Sequence, residues 1–118
     1  MAETVVLASG VSAKLGEQPD KDAVFDLWAY DELELELSVL AIHTANSDVW
    51  ATIILETSMD LDPDAKGATW KPLGAFTPLP KGGSDRRRFS GFLRYVRWQV
   101  MSNAETGNVV FTLRGMAR

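Results

Sequence analysis

His43 is the only histidine in the chain, so any chemistry that needs an imidazole depends on this one residue. A catalytic base would need a nucleophile and an orienting carboxylate within reach. Ser47 and Asp48 are close in sequence, but they belong to an apparent turn and not to a nucleophile elbow. The count excludes a multi-histidine metal centre, and the absence of cysteine excludes thiolate ligands and nucleophiles. We therefore interpret His43 as an ordinary residue at the end of a strand.

Glu34 and Glu36 could act as a general acid and base, because residues two apart on a strand share one face. Ser38 continues that face, and a polar strip of this kind is typical of a surface in contact with solvent. We therefore expect neither carboxylate to be catalytic. The sequence predicts no enzymatic activity and no cofactor.

Asp60, Asp62 and Asp64 form the candidate metal site, since oxygen ligands at alternate positions of a loop suit Ca²⁺. The segment departs from the EF-hand pattern at two positions. Ala65 stands where that pattern needs a glycine, and Lys71 stands where it needs a bidentate glutamate. A solvated acidic turn is the favoured interpretation, with calcium binding as the alternative.

The glycine-rich segment 82–84 is followed by Arg86, Arg87 and Arg88. A flexible loop next to three positive charges could attract phosphate. Loops that cradle phosphate lead into the N-terminus of a helix, whereas residues 89–98 have the composition of a strand. We therefore expect these arginines to keep a sheet edge soluble or to contact an acidic partner.

Tryptophan side chains could stack on sugar rings, and the chain has four of them. Each lies within or at the start of a predicted strand, so we expect most to belong to the core and one of the four to be exposed. They are Trp28, Trp50, Trp70 and Trp98.

The size and charge of the chain limit its architecture and its partners. With 118 residues, 46% of them hydrophobic and 24% charged, the chain is suited to one folded domain over residues 1–118. The net charge of −4 argues against nucleic-acid binding, which needs clustered lysine and arginine. Glu3 stands where a signal peptide would be basic, and no apolar run approaches the roughly 20 residues that cross a bilayer. We expect neither export nor a membrane partner.

The elements that position these residues are predicted to be strands, because hydrophobic residues recur with a period of two. Leu33, Leu35 and Leu37 share one face of the clearest strand, while Glu34 and Glu36 share the other. A helix would scatter the leucines around its circumference.

About eight strands follow from this alternation and from the intervening turn residues. The predicted architecture is all-β, a two-sheet antiparallel sandwich of the jelly-roll type. Pro72 and Pro78 indicate that the strand around them lies at a sheet edge or is interrupted, because proline cannot donate a hydrogen bond to the ladder. Residues 1–15 are expected to form a docking arm or an edge strand. The predicted strands cover residues 4–8, 23–29, 33–44, 50–57, 70–76, 87–90, 93–101 and 109–114.

Four segments in the second two-thirds of the chain carry a family resemblance: the alternating strand 33–42, the serine-ended segment 51–58, the segment 69–76 with its Thr-Trp pair, and the Arg-Tyr-Val-Arg-Trp run 94–98. Their order resembles that of small virion proteins of tailed bacteriophages and prophages. It is also similar to the latter half of discoidin-like, galactose-binding domains. The resemblance implies a jelly roll in which Trp70 and Phe76 fill the space between the sheets.

Two functions follow from the resemblance. The first is a non-enzymatic component of a phage or phage-like particle, made in the bacterial cytoplasm, such as a capsid decoration, head-fibre or accessory protein. It would form homo-oligomers and contact capsid or tail subunits. The alternative is a carbohydrate-binding module that contacts a surface glycan. No binding residue is transferred by the resemblance, and the segment 60–66 is longer than the tight turn favoured in such families.

Overall fold

The fold is seen in a computed structural model, which describes residues 2–15, 24–44, 48–59, 70–104 and 106–118. Within these ranges there are eight strands and no helix, so no helix long and apolar enough to cross a membrane is found there. The strands are β1 (Glu3–Lys14), β2 (Val24–Asp26), β3 (Glu32–His43), β4 (Ala51–Ser58), β5 (Lys71–Ala75), β6 (Ser84–Ser90), β7 (Tyr95–Ser102) and β8 (Asn108–Ala117).

The strands form two antiparallel sheets of four. The first sheet has the order β1-β8-β3-β6, and the second has the order β2-β7-β4-β5. Every connection except the one between β4 and β5 therefore joins the two sheets. This order is that of an eight-stranded jelly roll built from two Greek keys. The predicted two-sheet sandwich is confirmed.

The core lies between the sheets and is built by alternation along each strand. Leu33, Leu35 and Leu37 of β3 are fully buried, and Val39 continues their face. Burying each such side chain contributes about 1.5–3 kcal/mol to folding. The period of two seen in the sequence is thus the pattern that places this strand's apolar side chains inside.

Two aromatic pairs join the sheets across the core. Trp98 of β7 meets Phe111 of β8 edge to face, with ring centroids 5.0 Å apart and planes at 84°. Phe76, just after β5, meets Phe89 of β6 at 5.5 Å and 65°. Each pair takes one ring from each sheet. Such pairs are worth about 0.5–1.5 kcal/mol beyond the area that they bury, and they connect the two sheets directly.

β1 is longer than the predicted strand, which ended at Ala8. The sequence Ser9-Gly10 breaks the hydrophobic pattern, but the chain continues as a strand through two irregularities in its pairing with β8. Gly10 has a φ of 59°, and its N–H donates to Thr112 Oγ1 at 3.0 Å. Glycine adopts this backbone conformation without the steric cost that other residues incur, so β1 bulges there and resumes at Val11.

The four edge strands differ in how they resist pairing with another molecule. β2 has three residues, β5 contains Pro72 beside a bulge, and β6 carries three arginines. These are the features by which proteins prevent their sheet edges from pairing with other strands. Pro72 lies on an edge strand, which confirms the edge position predicted from this proline. β1 has twelve residues and no proline. It is the most extended edge of the sandwich.

Gly115 is predicted to be indispensable to the pairing of β8 with β3. A Cβ at this position would lie 1.8 Å from the backbone oxygen of Glu34, so the strands would have to separate. We expect Gly115→Ala to lower the free energy of unfolding by about 3 kcal/mol, the upper end of the range for overpacking. Urea unfolding followed by circular dichroism measures this value.

Gly91→Ala is the matched control, because Gly91 has a φ of 71° with open space around it. It should cost about 1 kcal/mol from backbone strain alone. Equal stability of Gly115→Ala and the unmodified protein would contradict the close approach of the two strands.

Candidate functional site

Glu34 and Glu36 lie on the outer face of the first sheet, where arginines surround them. Glu34 Oε2 is 3.3 Å from Arg88 Nε and 3.2 Å from Arg118 Nη2. Glu36 Oε2 accepts a hydrogen bond from Arg86 Nη2 at 3.3 Å. The register explains these contacts, because Glu34 faces Arg88 and Glu36 faces Arg86 across β3 and β6. Both carboxylates thus serve in cross-strand ion pairs of the kind that stabilise a sheet.

Arg86, Arg87 and Arg88 belong to the edge strand β6 and not to the loop before it. Arg87 extends along this edge, where its Nε donates to Asp85 Oδ2 at 3.1 Å and its Nη2 to Thr77 Oγ1 at 2.7 Å. The backbone N–H of Thr77 donates to the Asp85 carboxylate, and with Arg87 it lowers the pKa of that group. The three arginines therefore line the edge, and Arg87 also fixes the connection from β5 through Thr77.

A shallow groove of about 420 Å³ lies on the outer face of the first sheet. Arg114 faces Glu36 across β8 and β3, but no ion pair joins them within the described part of the chain. The groove has charges of both signs and an apolar margin. Its lining consists of Thr4, Glu34, Glu36, Arg86, Arg114, Gly115 and Met116.

The other polar candidates are not brought together into a site. His43 is the last residue of β3, exposed and opposite Asn108. Asp60, Asp62 and Asp64 lie outside the described residues. In the ranges that the structure does describe, there is no group of three or more histidine, cysteine, aspartate or glutamate side chains that could hold a metal ion.

The four tryptophans occupy different environments. Trp98 is buried in the core, Trp50 and Trp70 are half-buried, and Trp28 is 69% exposed. One exposed tryptophan is the number expected from the sequence.

Trp70 does not fill the space between the sheets. Its ring lies 4.2 Å from the guanidinium of Arg97, and Arg97 Nε bonds Glu56 Oε1 at 2.9 Å on the outer face of the second sheet. The cation–π contact with Arg97 therefore holds Trp70 outside, whereas Phe76 is buried between the sheets as expected. The implied core position of Trp70 is wrong.

Asp26, Trp28 and Arg94 form a cluster that the sequence did not reveal. Asp26 Oδ2 accepts a hydrogen bond from Arg94 Nη2 at 2.9 Å, and Asp26 Oδ1 accepts bonds from Arg94 Nε at 3.2 Å and the Trp28 N–H at 3.1 Å. The Arg94 guanidinium lies 5.4 Å from the Trp28 ring and 5.1 Å from the Tyr95 ring. An aspartate that bonds the N–H two residues ahead makes an Asx turn. That pattern ends β2 at Asp26, and it could have predicted that Trp28 leaves the sheet.

The Asp26–Arg94 pair should be visible in a titration. Arg94 holds the pKa of Asp26 below its ordinary value of 3.8, with a smaller contribution from the Trp28 N–H. The pair therefore contributes to stability above about pH 3.8, and the contribution disappears as the pH falls through the lowered pKa. We expect Arg94→Gln to raise the pKa of Asp26 towards 3.8, measured by NMR titration of the side-chain carboxyl carbon.

Asp85 is the internal control for this titration. Its pKa is also lowered, but by Thr77 and Arg87, so it should not respond to Arg94→Gln. An unchanged Asp26 pKa in the variant, or equal movement of both aspartates, would show that Arg94 does not hold Asp26 in this way.

Comparisons of the chain with models of protein families, with curated proteins and with solved structures found no match. The resemblance to phage virion proteins and to discoidin-like domains therefore stays a prediction made from the residues. The fold is defined by the strand order of the two sheets.

Proposed function

We propose that this protein is a non-enzymatic structural component of a phage or phage-like particle and works through contacts between protein subunits. The observation that carries the proposal is the extended edge strand β1 on an eight-stranded jelly roll. Jelly rolls of this kind build viral capsid proteins as well as lectin domains. A fold alone does not determine function, so the proposal rests on what this edge can bind.

β1 presents backbone groups that a second strand could pair with. Its inner side pairs with β8 over its full length, and its other side is a sheet edge. Val6 of β1 is 51% exposed, and Met116 of β8, which pairs with Thr4, is 44% exposed on the same outer face. A strand added at this edge would gain main-chain hydrogen bonds and cover apolar surface, as in β-augmentation.

A second copy of the chain fits this edge by its alternating pattern. In a symmetric antiparallel pair of two β1 strands, outer-face residues lie opposite outer-face residues, so Thr4 of one copy can lie opposite Lys14 of the other, and Val6 opposite Ser12. The irregular stretch of β1 lies between Val6 and Val11, so the regular segments 4–6 and 12–14 would face each other. Symmetric pairing of this kind is the commonest arrangement in homo-oligomers.

The particle itself provides the direct test of the function. Particles are purified by density gradient from cultures of the cells that carry the gene, and their proteins are quantified by mass spectrometry. The proposal predicts that the native protein is recovered with the shell or tail proteins in a fixed ratio. Native protein that stays entirely outside the particle fraction would refute it.

The role of β1 is tested by placing a charge on its edge. We expect Val6→Lys to weaken self-association about tenfold or more, because a lysine on an edge strand opposes pairing with another strand. Sedimentation velocity over a range of protein concentrations measures the change.

Leu40→Lys is the matched control, since Leu40 is also 51% exposed on the first sheet but lies on β3, an interior strand. It should leave self-association unchanged. Equal effects of the two substitutions, or a monomeric unmodified protein at every concentration, would exclude β1 as the contact between copies.

A further inference from the structure

Arg114 is the one arginine without an ion pair or a side-chain hydrogen bond in the part of the chain that the structure describes. The other arginines each lie 2.9–3.3 Å from a carboxylate oxygen. Arg114 is exposed on the outer face of the first sheet, on the interior strand β8. A guanidinium has five N–H donors, so this side chain can bind an anionic group without giving up an existing contact.

The register of the sheet explains why Arg114 has no partner there. Its neighbours across the strands are Val6 of β1 and Glu36 of β3. Val6 is apolar, and Glu36 Oε2 is bonded from its other side by Arg86 Nη2 at 3.3 Å. Glu34, the other carboxylate of the groove, is paired with two further arginines. Arg114 therefore adds a positive charge that the sheet itself does not neutralise.

The groove beside Arg114 has the dimensions of an extended peptide. Its volume is about 420 Å³, and two rows of side chains that cross the strands line it. One row contains Thr4, Met116 and Glu34, and the other contains Arg114 and Glu36. The rows are two residues apart along each strand, which is about 6.6 Å, and the four strands span about 14 Å from β1 to β6. An extended segment of about four residues covers this length.

We propose that this groove binds an extended segment of a partner protein through a glutamate or aspartate of that segment, whose carboxylate bonds Arg114. A carboxylate can accept two parallel hydrogen bonds from one guanidinium, which makes the contact both strong and directional. Met116, which is 44% exposed, gives a neighbouring aliphatic side chain of the segment an apolar surface. The contact needs one copy of the chain only, so it goes beyond the role of β1 in self-association and does not depend on it.

The charges around Arg114 favour a protein segment over a nucleic acid. A nucleic acid has a phosphate on every nucleotide and is bound by clusters of lysine and arginine that neutralise several phosphates. Here the carboxylates of Glu34 and Glu36 lie beside the Arg114 guanidinium and would repel the adjacent phosphates. The net charge of −4 also opposes the approach of a polyanion. A protein segment can place one carboxylate at Arg114 and uncharged residues beside the two glutamates.

NMR titration with synthetic peptides tests the groove. The probe has the sequence Ser-Leu-Glu-Leu-Ser with both ends blocked, and the control probe has glutamine in place of the glutamate. The Nε–H resonance of Arg114 in the ¹⁵N-labelled protein is assigned from its loss in Arg114→Gln. We expect saturable shifts of this resonance with the glutamate peptide. The glutamine peptide should bind about tenfold more weakly or less, because it lacks the charged partner of the hydrogen bond.

Arg114→Gln should weaken binding of the glutamate peptide about tenfold or more. It should leave the midpoint of urea unfolding unchanged, because Arg114 forms no ion pair among the described residues. Arg87→Gln is the matched control, since Arg87 also belongs to the first sheet but extends along its edge, bonded to Asp85 and Thr77. This control should leave the peptide affinity unchanged.

Self-association provides a separate readout. Sedimentation velocity of Arg114→Gln should match that of the unmodified protein, because the proposed contact does not use the edge of β1. A monomeric unmodified protein that binds the glutamate peptide would support the groove and contradict the pairing of β1, so the two proposals can fail separately.

The proposed contact would be refuted by equal affinity for the two peptides, by the absence of binding of either, or by an equal loss of affinity in the Arg87 and Arg114 variants. Tighter binding of an oligothymidylate than of the glutamate peptide, lost in Arg114→Gln, would identify phosphate as the ligand instead. Loss of self-association in Arg114→Gln would identify a second copy of the chain as the occupant.

Discussion

The placement of β3 between β8 and β6 is the constraint on which the rest of this structure depends. Its strict alternation directs four apolar side chains inward and the carboxylates of Glu34 and Glu36 outward. A slip of one residue would exchange the two faces, burying the carboxylates and exposing the leucines. The inner face supplies side chains to the core, across which Trp98 and Phe111 contact each other. On the outer face, the carboxylates lie opposite arginines of β6. The polar strip of Glu34 and Glu36 is therefore a consequence of the register.

The same constraint determines which surfaces remain available for partners. Once β8 and β3 occupy the interior of the first sheet, β1 and β6 must be its edges. The arginines that pair with β3 also make β6 a poor template for another strand, so the longer edge, β1, is the one that stays open to pairing. At one end of the sandwich the turn after β2 carries Trp28 away from the sheet, because Asp26 bonds the backbone ahead of it.

The sequence was informative where a residue's position in a strand decides its environment, and less so where side chains interact across the chain. Alternation revealed the eight strands and the sandwich, because burial of one face imposes a period of two. The edge position of Pro72 followed from proline's lack of a backbone N–H. The predicted first strand ended too early, because the bulge at Gly10 that lets β1 continue depends on Thr112, which is 102 residues away. The predicted strand began at Arg87, whereas β6 begins at Ser84. A charged segment is typical of a loop unless the strand that pairs with it is known. Trp70 was placed in the core by analogy, and only the position of Arg97 shows why it lies outside.

Amide hydrogen exchange along β1 tests the central claim, that this edge joins subunits, most directly. In the free monomer, the amides of β1 that point away from β8 should exchange rapidly with solvent, while those bonded to β8 should be protected. In the assembled particle, the outward amides of residues 3–6 and 11–14 should become protected as well. Rapid exchange of these amides in the particle, with new protection confined to β6 or to the turn around Trp28, would contradict it.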